Sequence, residues 1–95
     1  MSQPSPQANR IITLSLEPND PQRLASLCGQ QDEHLKLIES RLDVTLRNRG
    51  NVFQLAGAAN RIKAAANVLE HLYRETAADE LSADTVHLFL QESGL

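Results

Sequence analysis

Four basic residues in the middle of the chain are of the type that binds phosphate, and they could form a local basic patch. They are Arg47, Arg49, Arg61 and Lys63, and their stretch, residues 36–63, holds six Lys or Arg against two Asp or Glu. Residues 70–95 hold one basic residue against six acidic ones, so the net charge of -3 combines a basic middle with an acidic end. The pattern predicts a local RNA-contact patch or, alternatively, an ordinary solvated face. Aromatic residues make up only 3% of the chain, which leaves little for stacking on bases.

The remaining nucleophilic and metal-ligating residues do not form a set. His34, His71 and His87 have separations that fit no helical pair of metal ligands, and Cys28 alone cannot build a cysteine-based zinc site. Ser26 lies in a predicted helix without a neighbouring base. We therefore predict no catalytic residue, no metal site and no cofactor site in this chain.

Length and composition limit the class of protein. The 95 residues allow one domain, and a pI near 5.5 argues against a domain that is basic overall, as nucleic-acid-binding domains usually are. One cysteine excludes an internal disulfide, and no apolar run approaches the roughly 18 residues of a membrane span. We expect a cytoplasmic protein in which the polar residues 1–10 form a flexible tail and residues 11–95 form the folded domain.

The elements that must position these residues follow from hydrophobic periodicity and from capping residues. Alternating apolar residues predict a strand over residues 11–17, which Pro18 ends. Helical spacing and caps predict four helices: one that begins at Asp20-Pro21 and ends at Gly29, one after Asp32, an Ala-rich one over residues 58–75, and one between Ser82 and Gly94.

Between the second and third helices, the residues around Gly50 predict a β-hairpin. With Arg49-Gly50 at the turn, Leu46 faces Phe53 and Val44 faces Leu55. This register places those four apolar residues on one face of the hairpin, and a slip of one residue would separate them.

The resulting order, β-α-α-β-β-α with an additional C-terminal helix, is the layout of a type I KH domain. Such an α+β domain packs a three-stranded sheet against helices, and its G-x-x-G link between the first two helices approaches the nucleic-acid backbone. The corresponding link here is Gly29, Gln30, Gln31 and Asp32, in which aspartate replaces the second glycine. Its carboxylate would repel a phosphate and compete for free helix amides. We interpret the link as a glycine helix end followed by an aspartate cap or, alternatively, as a degenerate nucleic-acid clamp.

The residues in and after this link resemble the N-terminal domain of PhoH-like proteins. The resemblance rests on Cys28-Gly29 followed by Asp-Glu-His-Leu at 32–35, on Arg49-Gly50-Asn51 in the hairpin, and on Asp-Thr-Val-His at 84–87. It covers residues 11–95 and implies a bacterial, cytoplasmic protein in which a KH-like domain precedes a P-loop ATPase domain with a role in RNA or ribosome metabolism. No G-x-x-x-x-G-K-[ST] occurs here, so ATP and Mg²⁺ are expected only on that second domain, and this chain is expected to be an excised, non-catalytic domain.

These observations leave two functions from different classes. We expect mainly a protein-interaction or domain-docking module with at most weak RNA binding through the basic hairpin. Its partners would be its own ATPase domain, a ribosome-associated factor such as an endoribonuclease, or a second copy. The alternative is a KH module that presents RNA to the attached ATPase. A helix-turn-helix DNA reader fits less well, because its recognition helix, residues 32–42, would be net negative.

Overall fold

The described part of the chain contains three strands and four α-helices in the predicted order. A computed structural model describes residues 10–92. The elements are β1 (Arg10–Ser15), α1 (Pro21–Cys28), a 3₁₀ turn (Gln30–Asp32), α2 (Glu33–Leu42), β2 (Thr45–Arg49), β3 (Val52–Gly57), α3 (Ala59–Glu75) and α4 (Ala83–Glu92). The predicted tail, residues 1–10, lies outside the described residues except for Arg10, which belongs to β1. The predicted helix end at Gly94 also lies outside them.

Two of the helix starts are made by the predicted capping residues. Asp20 Oδ1 accepts hydrogen bonds from the backbone N–H groups of Gln22, at 3.0 Å, and Arg23, at 3.3 Å, and Pro21 occupies the first position of α1. Ser82 Oγ accepts a hydrogen bond from the Thr85 N–H at 3.3 Å before α4. These side chains satisfy amides that have no partner within their own helix, which is why both helices begin where they do.

The three strands form one antiparallel sheet in the order β1-β3-β2, so β3 is central and β1 and β2 are the edges. The predicted hairpin register is wrong by two residues. Arg49 pairs with Val52 and Leu46 pairs with Leu55, so the turn is Gly50-Asn51 rather than Arg49-Gly50. Gly50 has φ 60, which suits the first central residue of a tight hairpin turn. When the turn moves by one residue, each residue of β2 faces a β3 residue two positions further along. Residues two apart in a strand lie on the same face, so the apolar residues keep their common face.

The helices cover one face of the sheet and leave the other open. Leu46, Phe53 and Leu55 on the covered face are buried, whereas Thr45, Arg47 and Gln54 on the open face are exposed. The predicted apolar stripes of the helices form one largely aliphatic core with the sheet, and its fully buried members include Leu27, Ile38, Leu42, Leu69, Leu72, Val86 and Leu90. Burying each such side chain stabilises the fold by about 1.5–3 kcal/mol. Within residues 10–92, no helix has the length and apolar character needed to cross a membrane.

Candidate functional site

A cleft lies between α1, the Gly29–Asp32 loop and the β2–β3 hairpin. Its volume is 400 Å³, and it is lined by Asn19, Pro21, Leu24, Ala25, Cys28, Gly29, Asp32, Asn48 and Gly50. Leu24 and Cys28 are buried and give it an apolar floor, whereas the amide side chains of Asn19 and Asn48 make parts of its wall polar. The cleft thus combines the loop between the first two helices with the hairpin, the two segments that the sequence singles out.

Gly29 makes the close contact between α1 and α2 possible. It has φ 79, and a Cβ added there would lie 2.8 Å from Cγ of Glu33 and 2.8 Å from Cγ of His34. The His34 ring is buried against the end of α1, where Nδ1 lies 3.1 Å from the Ser26 carbonyl oxygen and 3.3 Å from that of Leu27. Glycine is therefore required here both for its backbone conformation and for space. The role of His34 was not predicted, because its contacts are with carbonyls eight and seven residues back in the chain.

Asp32 occupies the position before α2, but the predicted capping contact is absent. Its backbone is left-handed, with φ 59 and ψ 28, and no side chain caps this helix start by a hydrogen bond. Gln31 is left-handed as well, with φ 52 and ψ 34. A residue in this conformation directs its side chain away from the following amides, unlike the extended backbone of Asp20. The prediction that the Asp32 carboxylate competes for those amides is therefore wrong. Of the two predicted effects of Asp32 on phosphate binding, only the repulsion between its negative charge and the phosphate remains.

The electrostatic character of the cleft is set by Asp32, the charged side chain among its lining residues. Burial and, to a smaller extent, the nearby Asp32 carboxylate together raise the pKa of the Cys28 thiol to about 11. Both effects disfavour a thiolate, so Cys28 is not activated as a nucleophile. No Lys or Arg lines the cleft, so it lacks the cation that phosphate binding favours.

Two of the four predicted RNA-contact residues lie together on the open face of the sheet. Arg47 pairs with Gln54 and Arg49 pairs with Val52, and the side chains of both arginines are exposed. Alternation along β2 puts them on the same side, next to the hairpin turn. They face away from the apolar floor of the cleft, because that floor belongs to the covered side of the sheet.

The other two lie beyond the opposite end of β3. Arg61 is half-buried in the first turn of α3, and its Nη1 donates a hydrogen bond of 3.3 Å to the Leu42 carbonyl at the end of α2. Lys63 lines a separate groove between α3 and α4, beside Asn67 and Phe89. The length of β3, about 17 Å, separates both from the hairpin turn. The structure thus places the four basic residues in three different surroundings.

A larger groove, of 820 Å³, lies on the other side of α1, against the connection between α3 and α4. Its Arg23 side chain lies over the Tyr73 ring, 4.4 Å from the centroid, and donates hydrogen bonds to the Tyr73 carbonyl at 2.8 Å and to Thr76 Oγ1 at 3.0 Å. Tyr73 is buried, and its hydroxyl donates to the Pro18 carbonyl. These contacts join α1 to α3 and account for Arg23 structurally. Among residues 10–92, no group of three His, Cys, Asp or Glu side chains is placed to hold a metal ion.

Comparison with known proteins supports the fold. No family model matches the sequence. The structure is similar to a protein of unknown function from Aeropyrum pernix, with a TM-score of 0.72, 15% sequence identity, and coverage of 90% of this chain and 46% of that one. It is equally similar to Dim2p from Pyrococcus horikoshii OT3, with a TM-score of 0.72, 16% identity, and coverage of 88% and 49%. The chain therefore spans about half the length of these two structures, and at such identities the similarity concerns the fold alone.

Proposed function

We propose that this chain is a type I KH-like accessory domain of a PhoH-like ATP-binding protein, and that it acts as a docking module in RNA or ribosome metabolism. Three features support the proposal: the element order, the antiparallel sheet order β1-β3-β2, and a tight Gly29–Asp32 link between the first two helices. The residues at 28–35 and 49–51 resemble the family, as described above. The sequence has no P-loop motif to hold nucleotide phosphates, so the proposed role is non-catalytic.

The observation that carries the docking role is the exposed apolar surface of the sheet. Four large apolar side chains are exposed among residues 10–92, and three of them belong to β1 and β3: Ile11 is 65% exposed, Ile12 39% and Val52 40%. Ile11 and Val52 lie on the open face of the sheet, whereas Ile12 lies on the opposite side of the edge strand β1. Exposed large apolar side chains are typical of protein contacts. By contrast, the cleft beside the Gly29–Asp32 loop carries a carboxylate and no cation.

Docking is tested by titrating the ¹⁵N-labelled chain with the ATPase domain encoded downstream of it. We expect chemical-shift changes centred on Ile11, Ile12 and Val52, because these side chains would lose water on contact. Val52→Lys should weaken the interaction at least about tenfold, since a charge would then be buried in the contact. Leu88→Lys, at the 54% exposed Leu88 of α4, is the matched control and should change it less than about twofold. Changes centred on the cleft, or a reading frame without a P-loop domain, would contradict the proposal.

RNA binding is the second candidate, and the backbone of the loop favours it. Left-handed φ angles at Gln31 and Asp32, together with a start of α2 that no side chain caps, leave helix amides available to an anion. If the chain acts as a docking module, we expect the dissociation constant for single-stranded RNA at low salt, measured by fluorescence anisotropy, to be above about 100 μM.

Two variants separate the RNA candidate from the docking role. If the cleft binds RNA, Asp32→Gly should strengthen binding at least about fivefold, because a like charge is removed while the backbone conformation is retained. Arg47→Glu with Arg49→Glu should leave cleft binding nearly unchanged but abolish binding by the hairpin face. Low-micromolar affinity of the unmodified chain would replace the docking role with RNA presentation.

A further inference from the structure

We propose that β1 is a pairing edge for β1 of a second copy of this chain, so that two antiparallel three-stranded sheets become one continuous sheet. The inference rests on the proposed role as an interaction module and names its partner. It follows from the hydrogen-bonding groups on the two sheet edges, from the residues along β1, and from the symmetry of antiparallel pairing.

The outer edge of β1 presents unused backbone groups. Leu16 donates its N–H to the Asn51 carbonyl at 2.9 Å and accepts a hydrogen bond from Asn51 Nδ2 at 2.8 Å, so Leu16 and the even-numbered residues before it point towards β3. Ile11, Thr13 and Ser15 therefore point their N–H and C=O groups away from the sheet. Within residues 10–92, no hydrogen bond reaches these outward groups.

The opposite edge, on β2, is protected where the strand begins. Leu46 points its N–H outward and donates it to Oε2 of Glu39 at 2.8 Å, and the Val44 N–H donates to the Glu39 carbonyl at 3.3 Å. One residue of α2 thus accepts from the outward amide of Leu46 and from that of Val44, which directly precedes β2. The exposed arginines Arg47 and Arg49 add like charges that two copies would bring together there. Pairing of two copies through β2 is disfavoured for both reasons.

Residues 11–15 of β1 have none of the features that keep sheet edges apart. The pairing of β1 with β3 runs without a bulge from Arg10–Gly57 to Ser15–Val52, and residues 11–15 contain neither proline nor charge. Ile11 and Ile12 are exposed on opposite faces of the strand. An edge that is straight, apolar and unprotected is the type that adds another strand.

The residues of β1 are complementary to themselves when a two-fold axis passes through Thr13. Ile11 then lies opposite Ser15 of the second copy, and each outward residue exchanges two backbone hydrogen bonds with its opposite. On the covered side, Ile12 meets Leu14 of the second copy, so two incompletely buried apolar side chains cover each other.

Charge complementarity also favours a second copy. Arg10 begins the strand, and Glu17 follows its other end. Antiparallel pairing brings these opposite charges to the same end of the joined strands, and no like charges face each other along residues 11–15. A two-fold axis makes each favourable contact occur twice.

Concentration-dependent hydrogen exchange on the 95-residue chain tests the proposal. In concentrated solution, the amides of Ile11, Thr13 and Ser15 should exchange at least about tenfold more slowly than in dilute solution, since they then donate to the second copy. Sedimentation equilibrium should show a dimer over the same concentrations. Slow exchange at every concentration in a chain that sediments as a monomer would mean that the edge is covered within one chain, and fast exchange at every concentration would mean that the edge stays free. Either result overturns the inference.

Two variants locate the contact. Thr13→Pro removes an N–H that makes no bond within the sheet, and proline is tolerated at such edge positions, so the fold should persist while dimerisation weakens at least about tenfold. Val52→Lys changes the open face on the central strand and should alter dimerisation less than about twofold. If Val52→Lys dissociates the dimer and Thr13→Pro does not, two copies stack face to face and strand pairing is wrong. If the chain is a monomer but binds the ATPase domain, only the second-copy inference is overturned. If the chain neither dimerises nor binds the ATPase domain, the docking role is overturned as well.

Discussion

At the residue scale, Gly29 is required both for its backbone conformation and for lack of space, whereas Gly50 is required only for its backbone conformation. Both have positive φ, but a Cβ at Gly29 would lie 2.8 Å from carbons of Glu33 and His34, whereas a Cβ at Gly50 would meet nothing within 4 Å. We predict that Gly50→Ala lowers the free energy of unfolding by about 1 kcal/mol, the cost of the left-handed conformation. Gly29→Ala should lower it by about 2–4 kcal/mol, because overlap with the buried His34 ring is added. Urea denaturation measures both, and equal losses would show that the loop moves to accept the methyl group.

The thiol of Cys28 gives a prediction about pH. Its pKa is raised from 9.0 to about 11, mainly by burial and then by Asp32. At pH 8 the thiolate is therefore about 100-fold scarcer in the folded chain than in the unfolded chain, and alkylation by iodoacetamide should be slower by at least that factor. Since the folded pKa is the higher one, the unfolded chain loses its proton first, and this group's contribution to stability is lost as the pH rises from about 9 to 11. Alkylation rates between pH 7 and 11, with the urea-unfolded chain as control, check the prediction, and equal rates would show that solvent reaches the floor of the cleft.

Residue-level chemistry could be predicted only where it is local. Asp20 and Ser82 cap helices within three residues of their own positions, and both caps are confirmed. The Asp32 cap was predicted by the same reasoning and is wrong, because the backbone at Asp32 follows the tight turn after Gly29 rather than an extended approach to the helix. The contact of His34 with α1 depends on how two helices meet, which capping rules do not describe.

At the element scale, Glu39 is the residue that protects the outer edge of β2 at Leu46. Glu39→Ala removes the acceptor of the outward Leu46 N–H and should lower the free energy of unfolding by about 1–2 kcal/mol. Glu39→Gln keeps an oxygen at that position and should cost less than about 1 kcal/mol. Glu70→Ala, on the exposed face of α3, is the control and should stay within about 0.5 kcal/mol. Faster exchange of the Leu46 amide in Glu39→Ala alone would assign the loss to this contact, and no change would mean that water replaces the carboxylate at no cost.

The sheet shows what an apolar pattern specifies about an element and what it leaves open. Alternation correctly predicted which face of the hairpin is buried, because within each strand every second residue lies on the same face, whatever the pairing. The pairing itself was wrong, since a turn at Arg49-Gly50 and one at Gly50-Asn51 give the same buried face. The preference of Gly50 for the first turn position decides between them. Arg61 and Lys63 were grouped with the hairpin for a related reason: they are close to it in the sequence, but β3 carries the chain to the far end of the sheet.

At the scale of the whole molecule, α4 belongs to the same core as the sheet and the first three helices. Leu90 and Val86 are fully buried, whereas Leu88 on the opposite face of the helix is 54% exposed. The additional helix beyond the β-α-α-β-β-α order is therefore part of the folded unit. For a domain of this size, a total stability of about 5–10 kcal/mol makes one such contact a large share of the whole.

Leu90→Ala tests this integration. The substitution should lower the free energy of unfolding by about 2–4 kcal/mol, because it leaves a cavity between α4 and the helices beneath it. Leu88→Ala, two residues away in the same helix, should change it by less than about 0.5 kcal/mol. Because one core unfolds as a unit, hydrogen exchange in Leu90→Ala should accelerate by the same factor at Phe53 in the central strand as at Val86 in α4. If exchange accelerates in α4 alone, the helix is a separately melting extension, and the stability of the sheet does not depend on it.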